Sequence, residues 1–183
     1  MEESVLAQAE VMFRRNWNRL RAPGFMQAVQ KDCAGISWLC WYARFHHRYR
    51  YSPTSKYIIY SCRERQPGHR HCGGIGHRFT HIGFLLRAAA ANRRIFLIDW
   101  ASPEPLENYF IPAHLEWRLN MAEHEAIANE RVHRFVWPNA SSQPPPEHSQ
   151  YLLATGGFAW AAACFGCANL TTPSFGSLFK FLF

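Results

Sequence analysis

Three glycines, a histidine and an arginine stand close together in this chain: Gly73, Gly74, Gly76, His77 and Arg78. Glycine permits positive φ angles and close approach of another group to the backbone. A helix that begins at such a turn offers unpaired N–H groups and the positive end of its dipole, and an arginine adds a guanidinium that complements phosphate. The turn therefore predicts an anion site. The competing interpretation is a tight turn that only packs a helix on a strand.

This turn completes neither of two common nucleotide-binding motifs. A G-x-G-x-x-G pattern that starts at Gly74 places Phe79 where the third glycine belongs, and the lysine of a Walker motif is missing. The residues therefore indicate an anion-binding turn, but they do not identify which anion it binds.

Three carboxylates, Asp99, Glu104 and Glu107, follow the second apolar run of the chain and are candidate general bases. Open α/β sheets bind their ligands beyond the carboxyl ends of the strands, where these residues are expected. The alternative is that Asp99 only hydrogen-bonds within its own turn.

Two strands and the helix between them must position these residues. The β-branched and aromatic run from Tyr57 to Cys62 predicts a buried strand, and Ile95 to Ile98 predicts a second one. Between them, apolar residues with helical spacing predict one buried helix face, away from His77, Arg78 and Arg87. These apolar residues are Ile75, Phe79, Ile82, Leu86 and Ala89. The pattern is a βαβ unit, so the predicted fold is α/β, with a small parallel Rossmann-like sheet and flanking helices.

Three more elements are predicted further along the chain. Met121 to Glu130 is expected to be a helix, with Asn120 as its N-cap and Glu123 completing a capping box. Val132 to Trp137 predicts a third strand. The final run from Ser174 to Phe183 predicts an apolar helix with little polar face, which must be buried against another surface.

Composition and charge limit the class of protein. The 183 residues are 48% hydrophobic and 15% aromatic, which is too apolar for a disordered chain. The formal charge of +7 favours anionic partners. No RNA-recognition motif and no basic helix stripe is found, so no nucleic-acid partner is predicted. The sequence also predicts no membrane-spanning segment, and no targeting signal is visible.

Aromatic and basic residues alternate between Trp41 and Tyr51, in the sequence WYARFHHRYRY. This composition is compatible with stacking on bases or with lying at a membrane interface. The competing interpretation is a solvated connector.

The stretch CGGIGHRFTHIGFLLRAAAANRRIFLIDW, followed by PLENYFIPAHLEW, resembles the N-terminal half of the fucosyltransferase-like glycosyltransferases. That group includes the protein O-fucosyltransferases, the α-1,6-fucosyltransferases and the nodulation fucosyltransferases, and the likeness is strongest to an algal and protist branch. The resemblance covers residues 56 to 119. The positions that match the motifs of the group are Gly74, Gly76, His77, Arg78, Asn92, Arg93, Asp99 and Trp100.

The resemblance implies one half of a GT-B glycosyltransferase, the half that binds the acceptor. Such an enzyme moves fucose from GDP-fucose to a glycan or protein hydroxyl with inversion, and it needs no metal or other cofactor. Carried over to this chain, the catalytic residues are Arg78 and His77, although His77 stands where the group has Asn or Asp. The expected substrate-binding residues are Gly73, Gly74, Gly76, Asp99 and Trp100. The alternative function is a non-catalytic binding module or a degenerate remnant of the fold.

The resemblance also bears on the cysteines and on the cellular compartment. Cysteines recur near this turn in the group, so Cys62 and Cys72 are expected to form a disulfide if the chain enters the secretory pathway. The competing interpretation is a zinc site with His69 and His71, although the spacing matches no known tetrahedral site. Sequons at Asn139 and Asn169 are candidate glycosylation sites. By resemblance the compartment is the secretory pathway or the Golgi lumen.

Four segments make up the predicted domain organisation. Residues 1–55 form an N-terminal helix and the basic aromatic connector, and residues 56–137 form the Rossmann-like core. Residues 138–149 form a Pro-rich loop. Residues 150–183 form an apolar segment, with Cys164 and Cys167 in a structural C-x-x-C, that leads to a missing second domain which would hold most of the nucleotide sugar.

Overall fold

The computed structural model describes residues 24–33, 35–63, 72–129, 131–136, 149–155, 170 and 173–183. Within these ranges the helices are α1 (Phe25–Asp32), α2 (Ser37–Tyr49), α3 (Ile75–Ala91), α4 (Met121–Ala128) and α5 (Phe175–Leu182). The strands are β1 (Tyr57–Cys62), β2 (Ile95–Trp100), β3 (His133–Val136) and β4 (Tyr151–Thr155), and Leu106–Asn108 forms a short 3₁₀ helix.

All four strands lie in one parallel sheet in the order β2-β1-β4-β3. β1 pairs with β2 so that Ser61 lies opposite Asp99 and Cys62 opposite Trp100. This confirms the predicted α/β fold with a small parallel sheet and flanking helices. β4 was not predicted, and it separates β1 from the predicted third strand, which therefore lies at the edge of the sheet.

Helices cover both faces of the sheet. Successive side chains of a strand point to opposite faces, so Ile58 and Tyr60 join the larger core with α1, α2, α3 and α5. Tyr57 and Ile59 join a smaller core with α4 on the other face. Because α3 follows β1 and α4 follows β2, the connections from these two adjacent strands leave the sheet on opposite faces. The hydrophobic core therefore extends beyond the predicted 56–137 segment.

Side chains and loop backbone occupy the outer edge of β2. The Tyr42 hydroxyl donates to the Arg94 carbonyl at 2.9 Å and accepts from the Phe96 amide at 2.8 Å. His46 Nε2 lies 3.2 Å from the Phe96 carbonyl, and the Ile98 amide donates to the Trp117 carbonyl at 2.8 Å. These bonds satisfy backbone groups that an open edge would leave available to another strand.

Two predictions about α3 are wrong. Ile75 is 65% exposed, because it is the first residue of the helix and lies beyond the sheet, whereas Phe79, Ile82 and the later predicted positions are buried. Arg78 is only 6% exposed, although it was expected away from the buried face. Its long side chain folds back under the glycine turn, and helical periodicity alone does not reveal that path.

The predicted basic aromatic connector is a helix, because most of it belongs to α2. Trp38, Leu39, Tyr42, Ala43 and His46 form the buried face of α2, with helical spacing that places them on the larger core. The solvated-connector interpretation is therefore wrong for residues 41–49.

The apolar C-terminal helix α5 is buried within this chain. Phe181 and Leu182 are almost fully buried in the larger core, and Leu178 packs against Gly83 of α3. An added Cβ at Gly83 would lie 2.9 Å from a methyl carbon of Leu178, so the two helices approach closely at this point. The chain's own core thus provides the surface that α5 was expected to need.

A buried ion pair joins the end of α2 to the start of α4. The Arg50 guanidinium contacts both carboxylate oxygens of Glu123, and it also donates to the carbonyls of Glu116 and Arg118. Glu123 accepts from the Asn120 amide at 2.7 Å while Asn120 accepts from the Glu123 amide, which confirms the predicted capping box. Glu123 therefore caps the helix and neutralises Arg50 at the same time.

Some predictions concern residues outside the described ranges. They are the N-terminal helix of residues 1–20, residues 138–148 of the Pro-rich loop, the sequons at Asn139 and Asn169, the histidines His69 and His71, and the C-x-x-C pair Cys164 and Cys167.

Candidate functional site

The glycine turn lies at the carboxyl edge of the sheet, where β1 leads into α3. Gly73 has φ +71°, a conformation that favours glycine, and Gly74 is the N-cap of α3 without a side-chain cap bond. An added Cβ at Gly74 or Gly76 would meet nothing within 4 Å. Only Gly73 is therefore required by the backbone, and the other two glycines leave the surface open at the start of α3.

Arg78 links the glycine turn to the loop after β2. Its Nε donates to the Gly73 carbonyl at 2.9 Å, and its NH1 donates to the Ser102 carbonyl. The guanidinium carbon also lies 4.7 Å from the centre of the Trp100 ring, within cation–π distance. Arg78 and Trp100 thus hold two loops together, and these bonds engage the guanidinium that was expected to contact substrate. His77, in contrast, is exposed on the first turn of α3.

On the other face of the same edge, Asp99 binds Arg63. Nε and NH2 of Arg63 donate to the two carboxylate oxygens at 2.7 Å each, and the Ser61 hydroxyl donates to Asp99 at 2.9 Å. Asp99 is 4% exposed, whereas the Arg63 side chain is 32% exposed. A bidentate pair of this kind fixes the guanidinium plane and leaves one side of Arg63 available to an anion.

The two glutamates near Asp99 differ in their surroundings. Burial is the largest cause and raises the pKa of Glu107. A hydrogen bond to its own backbone and the charge of Arg118 oppose the shift, and the carboxylates of Asp99 and Glu116 add to it. Glu104 is exposed and accepts a hydrogen bond from Asn108 at 3.2 Å. A carboxylate with a raised pKa is a stronger base, so Glu107 is a candidate to accept a proton from a hydroxyl.

A disulfide joins Cys62, the last residue of β1, to Cys72, with 5.7 Å between their Cα atoms. It therefore brings the chain back to the carboxyl edge beside Arg63, just before the glycine turn. A second disulfide, Cys33–Cys40, connects the end of α1 to α2 and was not predicted. Across the described residues no cluster of three or more metal-ligating side chains is found.

The predicted site residues are thus divided between the two sides of one edge. Gly73, Arg78 and Trp100 lie together on the α3 side, whereas Asp99 lies on the opposite face with Arg63. Arg63 was not among the predicted site residues. One signal was available, since Arg63 directly follows a buried strand and so had to emerge at the carboxyl edge.

Within the described ranges, no helix has the length and apolar character needed to cross a membrane. Comparisons of the chain with protein-family models, with curated proteins and with solved structures find no match.

Proposed function

We propose that this chain is the acceptor-binding half of a glycosyltransferase that moves fucose from GDP-fucose to a hydroxyl of a glycan or protein. The observation that carries the proposal is the geometry of the carboxyl edge, where Asp99 fixes the plane of the Arg63 guanidinium and the loop after β2 carries Glu107, whose pKa is raised by burial. The connections from β1 and β2 leave on opposite faces there, and such a crevice is the usual ligand site of parallel α/β sheets.

The proposed chemistry assigns one role to each group. Glu107 accepts the proton of the acceptor hydroxyl while the acceptor oxygen forms a bond to the anomeric carbon of fucose. The bond from that carbon to the diphosphate oxygen breaks, and GDP leaves with the electron pair. Arg63 stabilises the negative charge that develops on the leaving diphosphate. As the sequence resemblance implies, a second domain would hold most of the nucleotide sugar, and no metal ion takes part.

The α3 turn has a positioning role in this proposal. Arg78 ties the glycine turn to the loop that leads from Trp100 to Glu107, so it fixes the approach of two segments to the crevice. His77 and the open surface at Gly74 and Gly76 would face the substrate at the start of α3. The Cys62–Cys72 disulfide agrees with an oxidising compartment, and so supports a luminal location.

The second candidate function is a binding module without catalysis. The engagement of Arg78 by Gly73, Ser102 and Trp100 favours it, because a guanidinium used for packing does not assist a leaving group. Such a module would bind a glycan or protein at the same edge and transfer nothing.

Acceptor binding tests the proposal. Saturation-transfer NMR would measure binding of a panel of N-glycans and of Ser- and Thr-containing peptides, with GDP present. We expect at least one acceptor to bind, and we expect Glu107→Gln to weaken it by roughly fivefold or more. Glu104→Gln is the matched control, because Glu104 is an exposed carboxylate of the same loop.

Two outcomes oppose the proposal. If no member of the panel binds, the site is not an acceptor site. If an acceptor binds and Glu107→Gln changes nothing, Glu107 does not contact the acceptor hydroxyl, and the module without catalysis becomes the better account.

A further inference from the structure

A groove of about 390 Å³ lies on the side of α2 that faces away from the core. Its lining residues are Trp41, Arg44, Phe45, Arg48, Tyr49 and Arg93. The opposite face of the same helix is buried, so the fold fixes which side chains are presented to the outside. We call this feature the aromatic–arginine groove, and it plays no part in the proposed glycosyl transfer.

Three aromatic rings form a continuous row along the groove. Trp41, Phe45 and Tyr49 follow one another at intervals of four residues, so they lie on one stripe that spans about 12 Å of helix. The ring centres of Trp41 and Phe45 are 5.5 Å apart with 19° between the planes, and those of Phe45 and Tyr49 are 5.1 Å apart. Trp41 is 43% exposed and Tyr49 is 38% exposed. These are large aromatic surfaces to leave in contact with water.

Three arginines accompany the rings. Arg44 and Arg48 lie one helical turn apart beside the row, and the guanidinium carbon of Arg48 lies 5.4 Å from the centre of the Tyr49 ring. Arg93 belongs to the turn between α3 and β2 and completes the lining. All three arginines are exposed, and none forms a salt bridge with any carboxylate of the described chain. Among the described residues, no acidic side chain lines the groove.

The groove lies far from the candidate functional site. Arg93 precedes β2, so the groove is at the amino edge of the parallel sheet, whereas Arg63 and the glycine turn are at the carboxyl edge. An acceptor or nucleotide sugar at the carboxyl edge therefore does not account for the groove.

We propose that the aromatic–arginine groove binds a short stretch of single-stranded nucleic acid. Unpaired bases stack on aromatic rings whatever their sequence, and arginine pairs with phosphate through two parallel hydrogen bonds. The row of rings with arginines along it, lined by no described carboxylate, supplies both contacts. The volume is also in the range that encloses one or two ring-bearing groups. The proposal replaces the expectation that the chain has no nucleic-acid partner.

The shape of the groove and its arginines favour single-stranded nucleic acid over a membrane surface as the ligand. Arg93 lies on a different segment from α2, so the rings line a concavity, and a planar bilayer does not fill a concavity. All of the lining cations are arginines, which stack on bases and bind phosphate in a fixed plane, whereas lysine would serve equally well for attraction to lipid headgroups.

Fluorescence anisotropy of labelled 12-mers of uridine and of deoxythymidine, with the full chain, tests the proposal at several salt concentrations. We expect saturable binding. We also expect a logarithmic salt slope of about −2, because three phosphate contacts on a single strand contribute about −0.7 each. An abasic oligonucleotide of the same length should bind at least fivefold more weakly, since it keeps the phosphates and lacks the bases.

Two variants distinguish the contribution of base stacking to affinity from the contribution of charge. Trp41→Ala keeps the charge and should weaken binding by about fivefold or more without changing the salt slope. Arg93→Gly should lower the steepness of the salt slope by about 0.7. It should not lower thermal stability, because Arg93 has φ +49°, which glycine adopts readily. Arg131→Gln is the matched control, since Arg131 is exposed and lies outside the groove.

Each alternative gives a different result, and each would overturn the proposal. Equal binding of the abasic and normal oligonucleotides, or an unchanged affinity in Trp41→Ala, would mean attraction of phosphate alone. Binding of heparin or of vesicles containing phosphatidylserine without binding of oligonucleotides would assign the groove to a sulfated glycan or to a membrane. No binding of any probe would mean that the groove is not open to ligands in the full chain.

Discussion

The carboxylate of Asp99 accepts two hydrogen bonds of 2.7 Å from Arg63, across the carboxyl ends of β2 and β1. The carboxylate is buried, and the guanidinium is partly exposed. The pair therefore presents a fixed cation at the edge where the glycine turn and Glu107 also lie. In the proposed mechanism, this edge binds an anion and a hydroxyl together.

Removal of Arg63 should destabilise the protein, because the buried carboxylate of Asp99 loses its counter-ion. We expect Arg63→Ala to lower the free energy of unfolding by about 2 kcal/mol, because among the described residues buried Asp99 then keeps only the Ser61 hydrogen bond. Asp99→Asn/Arg63→Ala should recover part of that loss, since no buried charge is left unpaired. Urea denaturation of the single and double variants measures the coupling. A coupling energy near zero would contradict the proposed dependence of Asp99 on Arg63.

Two buried tyrosines should respond differently to loss of the hydroxyl. Tyr42→Phe is expected to cost about 2 kcal/mol, because the Phe96 amide and the Arg94 carbonyl at the edge of β2 lose their partner. Tyr60→Phe is the control, since the buried Tyr60 hydroxyl has no hydrogen-bond partner among the described residues. Thermal denaturation should show little change for Tyr60→Phe. Equal losses in the two variants would show that the Tyr42 hydroxyl does not support the edge.

The buried pair Arg50–Glu123 should be sensitive to removal of one partner. Arg50→Met leaves the Glu123 carboxylate buried without its cation, and we expect a loss of about 3–5 kcal/mol in the free energy of unfolding. Arg50→Met/Glu123→Gln should be less unstable than Arg50→Met, because the amide is neutral and its oxygen still accepts from the Asn120 amide. If the double variant is the less stable of the two in denaturant titrations, the carboxylate is not the source of the loss.

His46 should make the protein less stable in mild acid. Burial lowers the pKa of His46 to about 3, and the charge of nearby Arg50 lowers it further, while its bond to the Phe96 carbonyl opposes the shift. Between pH 6.5 and 3 the unfolded chain therefore binds a proton that the folded chain does not, so stability falls as the pH falls. The slope from this residue is at most about 1.4 kcal/mol per pH unit.

His46→Gln should reduce the dependence of unfolding free energy on pH between 6.5 and 5, because the other titrating groups, Glu107 among them, are the same in both proteins. Chemical denaturation at four pH values in this window provides the measurement. If His46→Gln has the same slope as the unaltered protein, His46 is not the titrating group.

The parts of the fold that local sequence determines were predicted well. The Tyr57–Cys62 strand, the helix from Ile75 and the Asn120–Glu123 capping box each depend on residues within a few positions of one another. β4 was missed because its five residues have no strong pattern of their own, and only pairing with β1 and β3 defines them as a strand.

The candidate site was harder to predict because its contacts join distant parts of the chain. Arg63 and Asp99 meet only because the sheet register brings Ser61 opposite Asp99. Arg78 lies on a helix whose period was predicted correctly. Its guanidinium nevertheless turns back to the Gly73 and Ser102 carbonyls, and the position of Ser102 follows from the loop after β2.

The location of the acceptor on the protein tests the central proposal most directly. Backbone amide chemical shifts of the isotopically labelled chain would be recorded during titration with the acceptor found by saturation transfer. We predict that the largest shift changes occur at Arg63, Gly74 to His77 and Glu107, at the carboxyl edge of the sheet. Shift changes confined to α2 and Arg93, at the amino edge, would contradict the assignment of the carboxyl edge as the acceptor site.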